Sequence, residues 1–354
     1  MKKRRTAVTM TALIITGMLL TGCGGGQFAD NTDSKVQSEQ PAEPEKETSK
    51  SSEADSYPKE PVRLIVPFAA GGGGDTMVRT IEPYWSKTLG GNFAIENMGG
   101  SGTQIGMMEI YHSEDDPYVI GVISQPHTSL TIDVQGAPYT LDDFYCINLH
   151  NYDPQSVFVT EDKEWNDFNE LTDYIKAHPG EVTFGVSQMT GGHLWTAFMA
   201  EELGLDITIV PYDGGSTCRT ALLGGIIDVM VMNEAASTGM ENTKCLGVNW
   251  TESTLWENAK TISELLPDSK TAEVGIACAN YKFVGVNRQM KENHPEIFEK
   301  LVETYKEAYL DEAHLKICEG QGLRDYMKWY GPEESQKLWF SIQEISNQYS
   351  YLFK

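Results

Sequence analysis

A chain of 354 residues, 40% hydrophobic and 22% charged, has room for two domains with cores of their own and is not a disordered polymer. Its formal net charge of −24 excludes nucleic acid as a partner, because a body of that sign repels phosphate chains and lacks a basic stripe.

The N-terminus carries an address. Lys2, Lys3, Arg4 and Arg5 precede an apolar stretch from Ala7 to Leu20, then Leu20-Thr21-Gly22-Cys23. A basic head, a short apolar run and small residues before the break form a signal peptide over residues 1–22. Fourteen helical residues reach about 21 Å, short of the roughly 30 Å hydrocarbon core. The Leu-Thr-Gly-Cys end resembles a bacterial lipobox, which implies lipid on Cys23 and an extracytoplasmic, membrane-anchored protein. Loss of the four basic residues leaves a mature charge of −28. Residues 23–56, rich in Ser, Glu, Gln and Lys, are expected to be a disordered acidic tether. Cys146, Cys218, Cys245, Cys278 and Cys318 remain, an odd number with no C-x-x-C pair. One or two bridges or buried free thiols both fit; a metal site does not, since no ligand spacing is present.

From Tyr57 the elements alternate. Around the apolar run Leu64, Ile65 and Val66, Val62–Pro67 reads as a buried strand whose ladder Pro67 ends. Gly71 to Gly74 then lead into a helix expected over Thr76–Leu89. Asn92–Asn97 is a second strand, and Met98 to Thr103 a second glycine loop that opens a helix through Tyr111. Tyr118–Ile123 is a third strand, ending in Ser124-Gln125-Pro126-His127. Such a βαβαβ run predicts a parallel, doubly wound sheet with ligand beyond the carboxyl ends of its strands. A strand feeding a glycine loop and a helix points bare N–H groups at an anion.

Leu141 to Phe158 carries the chain into a second lobe with the same plan. A helix over Asn166–His178, a strand at Val182–Val186, the loop Ser187–Gly192 and a helix over His193–Leu203 follow in turn. Next come a strand at Ile207–Val210, the loop Pro211–Ser216, a helix over Thr217–Leu223 and a strand from Ile226 to Met232. Pro295–Leu310 and Pro332–Tyr349 read as helices returning to the first lobe. The expected fold is α/β and two-lobed, like a venus-flytrap periplasmic binding protein, each lobe a sheet flanked by helices. The first lobe is placed at 57–160 and 285–354, the second at 161–284.

No P-loop, G-x-S-x-G elbow or H-E-x-x-H occurs, and Gly100, Gly102 and Gly106 miss the dinucleotide fingerprint by one residue. His193, in a first helical turn, reads as a packing histidine; His127, in the third loop, reads equally as a ligand-facing one. Asp75 and Arg79 stand i, i+4, either as a surface pair or with Asp75 bracing the glycine loop. Bracing is favoured, because a carboxylate facing an anion repels it. Arg219 reads as a surface ion-pair partner, and Asp213 puts a negative charge beside the second-lobe loops.

Four ordered motifs then carry a resemblance. Val66-Pro67-Phe68 with Gly71-Gly72 and Asp75, and Gly100-Ser101-Gly102-Thr103-Gln104-Ile105-Gly106, resemble signatures of the solute-binding proteins of tripartite tricarboxylate transporters. Val210-Pro211-Tyr212-Asp213-Gly214-Gly215, and Leu222-Leu223-Gly224-Gly225 with Ile227-Asp228-Val229-Met230, are similar to two more. The resemblance implies a receptor, not an enzyme, that takes a small carboxylated solute between its lobes. It implies delivery to a permease of one large and one small membrane subunit, with no cofactor. By position it nominates Phe68, Ala69, Gly71, Gly72 and Asp75, then Ser101, Gly102 and Thr103, as ligand-binding residues. The third loop adds Gln125 and His127; the second lobe adds Ser187, Thr190, Gly191, Gly192, Tyr212, Gly215 and Asn233. A monomer is expected. A sensor of the same fold, and a secreted hydrolase using His127 or His193, are the alternatives.

Overall fold

A computed structural model describes residues 53–353 apart from 238, 252–254 and 257. The leader, Cys23 and residues 23–52 of the expected tether lie outside the described residues; the tether's last four, Glu53–Ser56, form a short 3-10 turn. In chain order the strands are β1 (Val62–Val66), β2 (Phe93–Asn97), β3 (Val119–Gln125), β4 (Phe144–Asp153), β5 (Gln155–Thr160), β6 (Thr183–Ser187), β7 (Thr208–Tyr212), β8 (Val229–Asn233), β9 (Thr243–Val248) and β10 (Asn280–Asn287). The helices of the two modules are α1 (Gly73–Leu89), α2 (Gln104–His112), α3 (His127–Asp133), α4 (Phe168–Ala177), α5 (Gly191–Leu203) and α6 (Gly215–Leu223). The remainder are α7 (Ile262–Leu265), α8 (Thr271–Ala277), α9 (Arg288–Asn293), α10 (Pro295–Tyr309), α11 (Glu312–Gly320), α12 (Pro332–Ser341) and α13 (Gln343–Tyr349).

Two five-stranded sheets result, ordered β2-β1-β3-β10-β4 and β7-β6-β8-β5-β9. Each has a parallel trio, β2-β1-β3 or β7-β6-β8, as the strand–loop–helix repeats require. The expectation of an all-parallel sheet is corrected at the inserted pair in each. β10 runs antiparallel to β3 and β4, and β5 antiparallel to β8 and β9. These strands arrive from the other lobe, so no local crossover helix fixes their direction.

The lobe boundaries move accordingly. β4 ends at Asp153 in the first sheet and β5 begins at Gln155 in the second, so the chain crosses at Pro154, not after 160. The return falls before Asn280, since all of β10 lies in the first sheet. The C-terminus also departs from the expected return to the first lobe. α12 packs on β4, but Tyr349, Leu352 and Phe353 join the second-lobe core, with the Tyr349 ring 4.8 Å from that of Phe198. α13 stays attached to α3 through Ser346, whose hydroxyl donates to Asp133 Oδ2 at 2.6 Å. A further tie between lobes is Tyr326, which donates a hydrogen bond to Glu234 at the end of β8.

Each sheet buries both faces. α1 turns Met77, Val78, Ile81, Trp85 and Leu89 inward at helical spacing, and Trp85 meets Tyr305 of α10 edge to face at 4.6 Å. Full burial of side chains of this size stabilises the lobe by about 1.5–3 kcal/mol each. α1 starts at Gly73 rather than Thr76, so two of the four glycines are helical, and it stops at Gly90 in the left-handed region at φ 73°. In the second lobe Phe184, Val186, Trp195 and Val231 hold the same place. The five cysteines of the described residues are free thiols, four of them buried. No described helix is long and apolar enough to cross a membrane.

Candidate functional site

A cleft of about 860 Å³ lies between the two sheets. The first lobe lines it with the loops after β1 and β2 and with His127; the second lines it with the loop after β6 and the start of α6. Its floor is the β4–β5 crossing with the start of β10.

Two helix N-termini open onto it from opposite lobes. α1 has Gly72 as N-cap and α6 has Gly214, and neither cap supplies a side-chain acceptor. The first N–H groups of a helix have no intrahelical partner. With a glycine in place of Ser, Thr, Asp or Asn, those of Gly73 and Gly74, and of Gly215 and Ser216, stay available to an acceptor in the cleft. α5 differs, since Thr190 Oγ1 accepts from the His193 N–H at 3.2 Å.

Asp75 sits behind the first loop, not in the cleft. It is buried, and its carboxylate accepts from the Gly71 N–H at 2.8 Å, Arg79 Nε at 2.9 Å and Asn97 Nδ2 at 3.0 Å. Burial pushes its carboxyl up, yet the bonds from Arg79, Gly71 and Asn97 outweigh that and hold it below its ordinary value. The loop is thus shaped from behind by a fixed anion.

The cleft floor holds residues that were not among those nominated from the sequence. Asn151 pairs with Lys282, and Asp153 with Asn280, across the β4–β10 ladder. Residues i and i+2 of a strand share a face, so these four side chains form one polar patch, and all four line the cleft. Lys282 and Asp153 are 3% and 2% exposed, with Nζ 3.5 Å from Oδ2; Asp153 Oδ1 also accepts from the Ala235 N–H of the second lobe. The Lys282 ammonium lies against the first turn of α1, where a Cβ on Gly73 would stand 3.7 Å from it. His127 is buried nearby, its ring edge to face with Phe68 at 5.7 Å. Burial first, and then the Lys282 charge, push its pKa down to about 3, so the imidazole is neutral at physiological pH.

Of the residues nominated from the sequence, Phe68, Ala69, Gly71, Gly72, Ser101, Gly102, Thr103, His127, Ser187, Thr190, Gly215 and Asn233 line the cleft. Asp75, Gln125, Gly191, Gly192 and Tyr212 are not among its lining residues. Gln125 is turned into the fold, donating to the Trp339 carbonyl at 3.0 Å. Gly191 serves close packing, because a Cβ there would lie 1.9 Å from the Cys278 carbonyl oxygen. Arg219, read as a surface residue, is half-buried and lines the cleft, as does Asp213. Asn151, Asp153, Gln155, Asn280 and Lys282 were missed. The spacings N-x-D-x-Q and N-x-K, polar at every second position, were the available signal.

The family model described as "TctC: Tripartite tricarboxylate transporter family receptor" matches residues 77–353. A UPF0065 protein from the TAR-I ttuE-ttuC' intergenic region of Agrobacterium vitis is 35% identical over 182 residues, 49% of this chain and 51% of that protein. The chain thus spans about half the length of that relative. The structure of R. palustris Rpa4515 with adipate superposes with a TM-score of 0.72 at 22% identity, over 84% of this chain and 98% of that one. MatC (Rpa3494) from Rhodopseudomonas palustris with bound malate gives 0.66 at 21%, over 84% and 100%. At those identities the structures establish the two-lobed fold. With the matching model spanning most of its length, the chain belongs to the tripartite tricarboxylate transporter receptor family, a family of solute-binding receptors and not of enzymes.

Proposed function

We propose that this protein is an extracytoplasmic receptor, anchored through lipid on Cys23, that takes up a small carboxylated solute between its lobes. It hands that solute to a permease of one large and one small membrane subunit. The observation that carries the reading is the pair of helix N-termini, capped by Gly72 and Gly214, that face one cleft from both sides with Lys282 beside the first. Charge-assisted hydrogen bonds are worth about 1.5–3 kcal/mol each, and micromolar binding needs about 8 kcal/mol, so a few such contacts suffice. Adipate and malate in two proteins of the same fold support a carboxylate. Ligand between the loops favours the closed arrangement of the lobes.

A thermal-shift screen of the purified receptor against mono-, di- and tricarboxylates and amino acids tests this. Ligand at a hundred times its dissociation constant adds about 2.7 kcal/mol, which reads as several degrees. No shift with any carboxyl-bearing compound sinks the reading. For the anchor, Cys23→Ser is expected to release the protein from the membrane fraction, and retention contradicts it.

A further inference from the structure

The floor of the cleft says more about the solute than that it is an anion. Asn151 and Asn280 are 1% and 6% exposed, and the Oδ1 atom of each is buried with no hydrogen-bond partner among the described residues. The Asn151 amide is fixed in orientation, since its Nδ2 donates to the Tyr152 carbonyl at 3.2 Å. Two acceptor oxygens therefore lie on the same face as the Asp153 carboxylate, where a buried acceptor left without a donor is costly. Beside them stand the Lys282 ammonium, opposite Asn151 on the ladder and 3.5 Å from Asp153 Oδ2, and the first turn of α1, both positive, with the Thr103 hydroxyl, unpartnered among the described residues, also lining the cleft. The patch thus sets one buried cation and the α1 first turn within a few ångströms of two open amide oxygens and a carboxylate, positive and negative groups side by side.

The geometry points to a ligand of matching polarity, an amino acid, whose carboxylate lies by Lys282 and the α1 first turn and whose ammonium donates to Asn151 and Asn280 beside Asp153. This rests on the receptor reading above and narrows it. An ammonium has three donors and no acceptor, which is what two amide oxygens and a carboxylate call for. A plain dicarboxylate puts its second anion against those three groups. A zwitterion also leaves the charge balance of the Lys282–Asp153 pair unchanged, in a protein that is already strongly acidic.

The test is isothermal titration of the purified receptor with the twenty standard amino acids, each beside the carboxylic acid that lacks its α-amino group and the one bearing a hydroxyl there. At least one amino acid is expected to bind at least about tenfold more tightly than both counterparts, since a site built to hydrogen-bond a group rejects analogues without it. Asn280→Leu is expected to bring the ratio of amino-acid to deaminated-acid affinity down to within about twofold of one. Deaminated or hydroxy acids binding as tightly as the amino acids overturn this inference and leave the carboxylate receptor standing. No binding by any of the three sets overturns both. The comparison of ligands on the unaltered protein stands even if the variant does not fold.

Discussion

Gly102 on the first lobe and Met189 on the second meet across the mouth of the cleft, so closely that a Cβ on Gly102 would lie 2.4 Å from Met189 Cβ. Gly102 also sits at φ 64° and Met189 at φ 55°, both left-handed. The contact is thus between two turns pressed together, one from each lobe. Gly102→Val is expected to wedge them apart and weaken ligand binding at least about tenfold, a cost of about 1.4 kcal/mol or more. Met189→Gly removes the opposing Cβ and suits a positive φ, so the double variant is expected to recover part of the affinity. Titration of the four proteins checks this. Wild-type affinity in Gly102→Val, or no recovery in the double variant, contradicts it.

The brace behind the first loop makes a second prediction. Asp75→Ala removes the acceptor shared by Gly71, Arg79 and Asn97. Arg79 is half-exposed, so its ion pair contributes little, and the larger loss is that of the buried bonds to Gly71 and Asn97. Urea titration is expected to show a loss of about 1–3 kcal/mol, with weaker ligand binding because the glycine loop loses its shape. Stability and affinity both unchanged would mean that the loop holds itself.

How much of this was legible in the chain follows from range. The β1 loop, Gly99 to Thr103, Ser187 to Thr190 and Gly214-Gly215 are local punctuation, strand then glycine then helix, and all of them line the cleft. Pro154 is the opposite case. Asp153-Pro154-Gln155 reads as a turn, and only the pairing of β4 with β10 and β5 with β9 makes it a crossing between lobes. β9 and β10 escaped notice because polar residues break their apolar runs, and those at the start of β10 face the cleft. Lys282 has only the two-residue alternation Asn280-x-Lys282 as a local signature. Its burial is decided by Asp153, 129 positions earlier in the chain.

Acid sensitivity comes from the histidines. Burial pushes His193 down to about 4, and burial with the Lys282 charge pushes His127 to about 3. His150 is also held well below its usual 6.5, by burial and then by His314 and Lys282. Above pH 6.5 these groups are neutral in both folded and unfolded chains and contribute nothing to the pH dependence. As pH falls from 6.5 towards their folded values, the unfolded chain takes protons that the folded chain refuses, so stability falls. A loss of at least about 2 kcal/mol between pH 7.5 and pH 5 is expected by urea titration. The depressed carboxyls of Asp75, Glu96 and Asp228 act in the same direction but at lower pH, below their ordinary values near 4. Equal stability at pH 7.5 and 5 contradicts the assignment.

The C-terminal segment supplies the last test. Tyr349 packs on Phe198, Phe353 lies edge to face on His193 at 4.6 Å, and Ser346 holds Asp133 of α3. One short helix therefore touches the third helix of the first lobe and the core of the second. Removing the ring in Tyr349→Ala is expected to cost about 3 kcal/mol, as for other large buried aromatics. The loss falls on a contact between lobes, so the ligand-free receptor is also expected to spend more time open, with a larger radius of gyration in solution scattering. A Tyr349→Ala protein of unchanged size and stability would show that Pro154 and the return into β10 hold the lobes without help from the C-terminus.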